Sequence, residues 1–264
     1  MYKELIHLYG PFSIYSYGLF IAIGLCTIIM LMQADRRFKI LQLAAHFNAL
    51  IAVSIFAGIA GGRIWHSMTE QDGARSLTDF LAYWQGGFSV LGCVIGICVT
   101  LPIFLYRYRI PVLPFLDFVA LYAPLLQSIS RIGCLCAGCC YGLPSNILWA
   151  IKYHDPESIA PLGIYLHPTQ LYSSFLFLII FCLMYWVLQY HLTLPGQLLG
   201  CYLILSSTER FFVDFLRDDQ VFFSNPQLEA FSVNQWLALI IIAAGILLLC
   251  TTYTATPYQK NKTL

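Results

Sequence analysis

Apolar runs of about 20 residues, separated by short polar connectors, recur along this chain, and a run of that length crosses a hydrocarbon core as a helix. The pattern predicts about seven transmembrane helices, near residues 13–33, 44–64, 88–106, 115–135, 168–190, 196–216 and 234–254. No repeat, low-complexity tract or linker interrupts them. The expected architecture is therefore an all-α integral membrane protein, one polytopic domain over residues 1–264. Basic residues set the orientation. With the N-terminus outside, the inner loops collect Arg36, Arg37, Lys39, Arg107, Arg109, Lys260 and Lys262, against Lys3, Arg75 and Lys152 outside, which puts the C-terminus in the cytoplasm. Glu70, Asp72, Asp79, Asp155, Glu157, Asp218, Asp219 and Glu229 all fall outside in that layout. Residues 136–167, with Pro144, Asn146, Asp155-Pro156 and Pro161-Leu162-Gly163, read as a loop-rich outer cap.

Composition agrees and narrows the classes. The chain is 59% hydrophobic and 10% charged, whereas a soluble domain carries about 25% charged residues. A net charge of +1 argues against nucleic acid as a partner. The N-terminal residues lack the basic-then-apolar-then-small pattern of a cleaved signal peptide, so insertion is expected to rely on the first span. Of the 10 cysteines, Cys26, Cys93, Cys98, Cys182, Cys201 and Cys250 are scattered singly through apolar runs and read as small buried hydrophobes.

The remaining cysteines sit in the stretch Ser130-Arg-Ile-Gly-Cys-Leu-Cys-Ala-Gly-Cys-Cys-Tyr-Gly142. Arg131 lies at or inside a membrane boundary, where a guanidinium costs about 2.5–3.5 kcal/mol, and no carboxylate lies close to it in sequence. Gly133, Gly138 and Gly142 permit close approach of a backbone or a ligand, although a glycine-rich helix end with a snorkelling arginine fits the same residues. Arg63 follows Gly61-Gly62 in the second span, as a close helix crossing or as part of a polar site. Gly86, Gly87, Ser89, Gly92 and Gly96 open the third span, either as a bent backbone lining a polar cavity or as small-residue packing. His167-Pro-Thr-Gln170-Leu-Tyr172 begins the fifth span, with His167 just before the helix as a capping residue or a base. In the sixth, Arg210, Asp214 and Arg217 are spaced i, i+4 and i+7 on one expected helical face, where Asp214 can orient both arginines. Two cations against one anion in lipid ask for a further anion. Arginines from separate spans, flanked by glycines in one half of the bilayer, suit a phospholipid phosphate, which guanidinium forks bind bidentately.

Together these elements resemble the prolipoprotein diacylglyceryl transferase family. The likeness runs through Tyr15-Ser-Tyr17-Gly-Leu19, Gly61-Gly-Arg63-Ile64, Gly86-Gly-Phe-Ser89, Arg131-Ile-Gly133, His167–Tyr172 and Arg210–Arg217, in order, over nearly the whole chain. The resemblance implies a multi-pass enzyme of the bacterial inner membrane, without cofactor or metal, its active site toward the periplasm. It also implies the substrates: phosphatidylglycerol, and the lipobox cysteine in the signal peptide of a prolipoprotein. Diacylglyceryl passes to the cysteine sulfur as a thioether and glycerol phosphate leaves. By motif, Arg131 and Arg210 hold the phosphate as catalytic residues. Tyr17, Arg63, Gly86, Gly87, Ser89, Gly133, His167, Gln170, Tyr172, Asp214 and Arg217 bind or position substrate.

The chain departs from the family at three positions. A histidine usual in the third-span motif, often taken as the thiol base, is Leu91; a usual asparagine is Cys134; a usual glutamate after the His-Pro motif is Ser173. A pocket with several guanidinium groups can lower a thiol pKa from about 8.5 without that base. Cys134, Cys136, Cys139 and Cys140, spaced C-x-C-x-x-C-C, match no closed zinc framework. A disulfide or reduced packing is expected of them. Two other functions remain open on the residues: a membrane thiol-disulfide oxidoreductase using these cysteines with a quinone, and a phospholipid-binding, scramblase-like protein without transfer chemistry.

Overall fold

The apolar runs fold as helices close to the expected bounds. The computed structural model describes residues 4–9, 12–69, 89–156, 158–222 and 230–254. Strands β1 (Glu4–Tyr9) and β2 (Phe12–Tyr15) form a two-stranded sheet before the first long helix. The helices are α1 (Ser16–Ala34), the short α2 (Arg36–Ile40), α3 (Phe47–Thr69), α4 (Val90–Arg107), α5 (Val112–Ala137), α6 (Thr169–His191), α7 (Gln197–Asp214) and α8 (Val233–Thr254). Among the described residues, α1, α3, α5, α6 and α8 are long and apolar enough to cross a membrane, and α4 is a shorter apolar helix. Ser206, Ser207, Thr208, Glu209 and Arg210 dilute the apolar character of α7. The chain divides into two compact units, one from Ala34–Phe115 and one containing Ser13–Gln33 and everything from Leu116 onward.

In the Ala34–Phe115 unit, α3 and α4 touch backbone to backbone. A Cβ on Gly61 would collide with the Gly92 carbonyl, and one on Gly96 with that of Ala57. Small residues allow such contact where lipid supplies no hydrophobic drive for association. An open apolar groove of about 620 Å³ runs along this pair past Phe56, Ile64, Trp65, Ile95 and Val99. Ser89 caps α4: its hydroxyl accepts from Gly92 N–H at 3.4 Å, while its own N–H donates to the Gly62 carbonyl at 3.2 Å.

In the other unit, α5 is the central strut. Leu126 fills the notch at Gly24 of α1, and Gly133 lies against Tyr17 and Phe20. Ser128 and Ser174 exchange hydroxyl-to-carbonyl hydrogen bonds of 2.8 and 2.9 Å between α5 and α6. Asp117, buried in α5, reaches the first turn of α7, where its carboxylate accepts from Gly196 N–H at 2.6 Å and Leu199 N–H at 2.7 Å. A carboxylate there satisfies orphan donors and complements the helix dipole. Gly200 and Gly245 bring α7 and α8 together. Helix α8 opens with a capping box: Ser232 Oγ accepts from Gln235 N–H at 3.1 Å, and Gln235 Oε1 accepts from Ser232 N–H at 2.9 Å. Between α5 and α6 the cap holds a short antiparallel pair, β3 (Ile151–Lys152) with β4 (Tyr165–Leu166), over a small core of Tyr153, Ala160 and Leu166.

Removing the Asp117 carboxylate leaves buried N–H groups without partners. Asp117→Ala should cost about 1–3 kcal/mol, seen as a lower midpoint of thermal unfolding in detergent, with Asp117→Asn recovering part of the loss. Gly92→Leu should force α3 and α4 apart and lower the same midpoint, whereas Gly18→Ala, whose Cβ would meet open space, should leave it unchanged.

Candidate active site

Three chain segments meet at Tyr141–Leu143, where backbone hydrogen bonds join the parts of the α5–α8 unit that carry the candidate site residues. Gly142 N–H donates to the His167 carbonyl at 3.1 Å and His167 N–H to that of Leu143 at 3.0 Å. On the other edge Leu143 N–H donates to Leu216 O at 2.9 Å and Asp218 N–H to Tyr141 O at 3.3 Å. Gly142 is required at the centre, since a Cβ there would sit 2.6 Å from His167 Cβ and 2.8 Å from the Leu216 carbonyl. The end of α5, the entry to α6 and the exit of α7 are thereby joined.

This junction corrects the expected geometry of the last arginine. Helix α7 ends at Asp214, the following turns tighten to Leu216 N–H to Val213 O and Arg217 N–H to Asp214 O, and Arg217 pairs its backbone with Gly142. Arg217 thus leaves the helical face it would share with Arg210 and Asp214. Its guanidinium instead grips Asp219 through Nε at 2.7 Å and a second nitrogen at 2.5 Å. Burial pulls the Arg217 guanidinium down, but the Asp219 hydrogen bond and neighbouring negative groups outweigh it and hold the pKa above the ordinary value. Asp214 pairs with Arg210 at a loose 3.7 Å. Its other oxygen accepts from the Ser232 hydroxyl, which locks the end of α7 to the start of α8.

Arg131 and Arg217 both lie within electrostatic reach of Arg210. Arg131 is half-buried and, among the described residues, makes no salt bridge or hydrogen bond. It also interacts electrostatically with Tyr17 on α1. Sequence reasoning missed Glu209, which is buried beside Ser173 in reach of Arg131, Arg210 and Arg217, with no hydrogen bond of good geometry to either carboxyl oxygen among the described residues. Its signal was present: a carboxylate next to Arg210 inside an apolar run. With Asp219 and Glu209 added, the positive excess at the cluster is smaller than the arginines and Asp214 alone suggest.

The His167–Tyr172 motif works largely through the backbone of the cysteine turn. Thr169 Oγ1 donates to the Cys140 carbonyl at 2.7 Å; Gln170 Nε2 donates to the Cys139 carbonyl at 2.7 Å and to the Tyr153 hydroxyl at 3.2 Å. Burial pushes the Tyr153 phenol up, so it stays protonated. His167 Nδ1 lies 3.3 Å from the Tyr172 hydroxyl, which also accepts from Trp149 Nε1–H at 2.7 Å. Cys134, Cys136, Cys139 and Cys140 are free thiols, so the structure forms no disulfide there. Arg63 is buried on α3 and Ser89 caps α4, both in the Ala34–Phe115 unit; Gly86 and Gly87 lie outside the described residues.

Comparison with known proteins agrees with the motif reading. The family model described as prolipoprotein diacylglyceryl transferase matches residues 3–251. A phosphatidylglycerol–prolipoprotein diacylglyceryl transferase of Clostridium tetani is 31% identical over 93% of this chain and 96% of its own length. One of Clostridium perfringens, numbered 2, is 32% identical over 89% of this chain and 90% of its own. That of Nitrosomonas europaea is 28% identical over 92% and 87%. A cluster of arginines on a helical, largely apolar scaffold and a match over almost the full length lead to one assignment: the chain belongs to the prolipoprotein diacylglyceryl transferase family.

Proposed function

We propose that this chain transfers the diacylglyceryl group of phosphatidylglycerol to the lipobox cysteine of a prolipoprotein, forming a thioether and releasing glycerol phosphate. In this reading it is a multi-pass protein of the bacterial inner membrane, with about seven spans, its N-terminus outside and its site open to the periplasm. The observation that carries the proposal is Arg131: a half-buried guanidinium without a hydrogen-bond partner among the described residues, within electrostatic reach of Arg210.

The chemistry follows from charge. The acceptor sulfur attacks the diacylglyceryl carbon, a C–S bond forms, and the C–O bond to phosphate breaks with its electron pair on the leaving oxygen. A phosphodiester carrying one negative charge becomes a monoester carrying nearly two. Guanidinium groups already in place stabilise that second charge more than the first, and only such differential stabilisation speeds the chemical step. Arg210, loosely held by Asp214, and Arg131 have N–H groups to offer; Arg217, neutralised by Asp219, fixes the edge of the cluster. Tyr17 borders Arg131 and suits the lipid side of the pocket. With Leu91 in place of an imidazole, the positive field of the cluster is the available means of favouring the thiolate.

Arg131→Ala and Arg210→Ala should each lower transfer by about 10²–10³-fold, measured by mass spectrometry of a lipobox peptide incubated with phosphatidylglycerol and purified protein. Arg131→Lys should recover only part, because an ammonium lacks the bidentate fork. Absence of thioether product with well-folded wild-type protein, together with failure to rescue a transferase-depleted bacterium, would sink the proposal. Asp219→Asn should loosen Arg217 and reduce transfer less than loss of Arg131 does, which the same assay reads.

A further inference from the structure

We infer that Cys134, Cys139 and Cys140 form a three-thiolate site for a thiophilic d10 metal ion, zinc(II) or copper(I), at the C-terminal end of α5. Their Sγ atoms all lie within 4.8 Å of one another. Three sulfurs around one ion at about 2.3 Å stand roughly 4 Å apart, so small side-chain rotations close the gap. Linear spacing pointed away from a metal, and the helix end explains why it misled. Gly138, at φ 72°, is the left-handed residue after the last helical position, and Cys139 N–H returns to the Cys134 carbonyl at 3.2 Å. That closure puts residues five apart in contact, normally as an apolar pair, and here both are cysteines.

Cys140 supplies an independent sign. It holds φ 58°, a left-handed conformation that non-glycine residues rarely adopt and that surrounding structure must enforce. The enforcement comes from α6, whose Thr169 and Gln170 side chains hold the Cys140 and Cys139 carbonyls. The Cys140 and Cys139 carbonyls are engaged by α6, and of the three thiols the Cys139 Sγ–H makes only a long 3.7 Å contact to the Cys134 carbonyl, which a metal would displace along with its proton. Cys136, on the same helix end, stands outside the group. Charge is complementary too: a metal displaces the thiol protons, leaving a complex of net charge −1 with zinc or −2 with copper(I), and Arg131 and Arg217 lie within electrostatic reach of Cys140. Three protein ligands leave the fourth position of zinc to a water or an incoming thiol. A thiol is what the acceptor brings in the reaction proposed above, but the site stands without that reaction.

The experiment uses the purified full chain, reduced and in detergent, without lipid or peptide, so its failure is separable from failure of the transferase reading. Zinc(II) and copper(I) are titrated separately against chromophoric chelators, and cadmium(II) is added as a spectroscopic probe. One ion per chain is expected, with a thiolate-to-metal band in the ultraviolet for cadmium. Cys134→Ser, Cys139→Ser and Cys140→Ser should each weaken binding by more than about a hundredfold, beyond what loss of an outer-sphere partner costs. Cys136→Ser and Cys201→Ser should leave it unchanged. X-ray absorption of the zinc-loaded wild type needs no variant and should show sulfur ligands at about 2.3 Å. No retained ion, a coordination shell without sulfur, unchanged binding in the triple variant, or a disulfide among the three in protein alkylated in intact membranes would each overturn the inference.

Discussion

The hydrogen bonds along Tyr141–Leu143 are the tie on which the α5–α8 unit depends. One edge of this segment pairs with His167 and the other with Leu216–Asp218, so the end of α5, the start of α6 and the end of α7 share one small patch of backbone. Gly142 makes the double pairing possible because neither neighbour leaves room for a Cβ. Arg131, Arg210, Arg217 and the cysteine turn take their places from this junction. Apolar helices alone would not specify them, because lipid solvates the faces of such helices as well as a neighbouring helix does.

Around the junction, charge is divided rather than pooled. Arg217 and Asp219 form a bidentate pair, Asp214 shares itself between Arg210 and Ser232, and Arg131 makes no hydrogen bond among the described residues. Pairing Arg217 with Asp219 fixes that guanidinium in place and offsets its charge, while a donor held in position needs no reorganisation when an anion binds beside it. Glu209, beside Ser173, adds a buried carboxyl to the cluster from α7.

Family membership and local chemistry bear on different parts of the molecule. The match to relatives covers nearly the entire chain and shows the family. The helix end at Gly138, which folds Cys139 and Cys140 back on Cys134, is a matter of local geometry. Arg131 and Arg217 lie within electrostatic reach of Cys140. Any ion bound there would change the field felt by substrate.

Hydrophobic run length by itself determined the helical membrane architecture, to within a few residues at most helix ends, because the hydrocarbon core demands a continuous internally bonded segment of set length. Arginine within apolar sequence was equally legible, since its cost in lipid singles it out wherever it occurs. Tertiary structure decided the partners. Asp117 capping a helix whose first turn lies near residue 197, Asp219 rather than Asp214 on Arg217, Glu209 beside the arginines, and three thiols at one point all depend on contacts between segments distant in sequence or on a turn leaving the helix. A periodic pattern carries the face of a helix, but once the chain turns at Asp214 or Gly138 that period ends, and only the backbone hydrogen bonds made beyond it settle where the next side chain points.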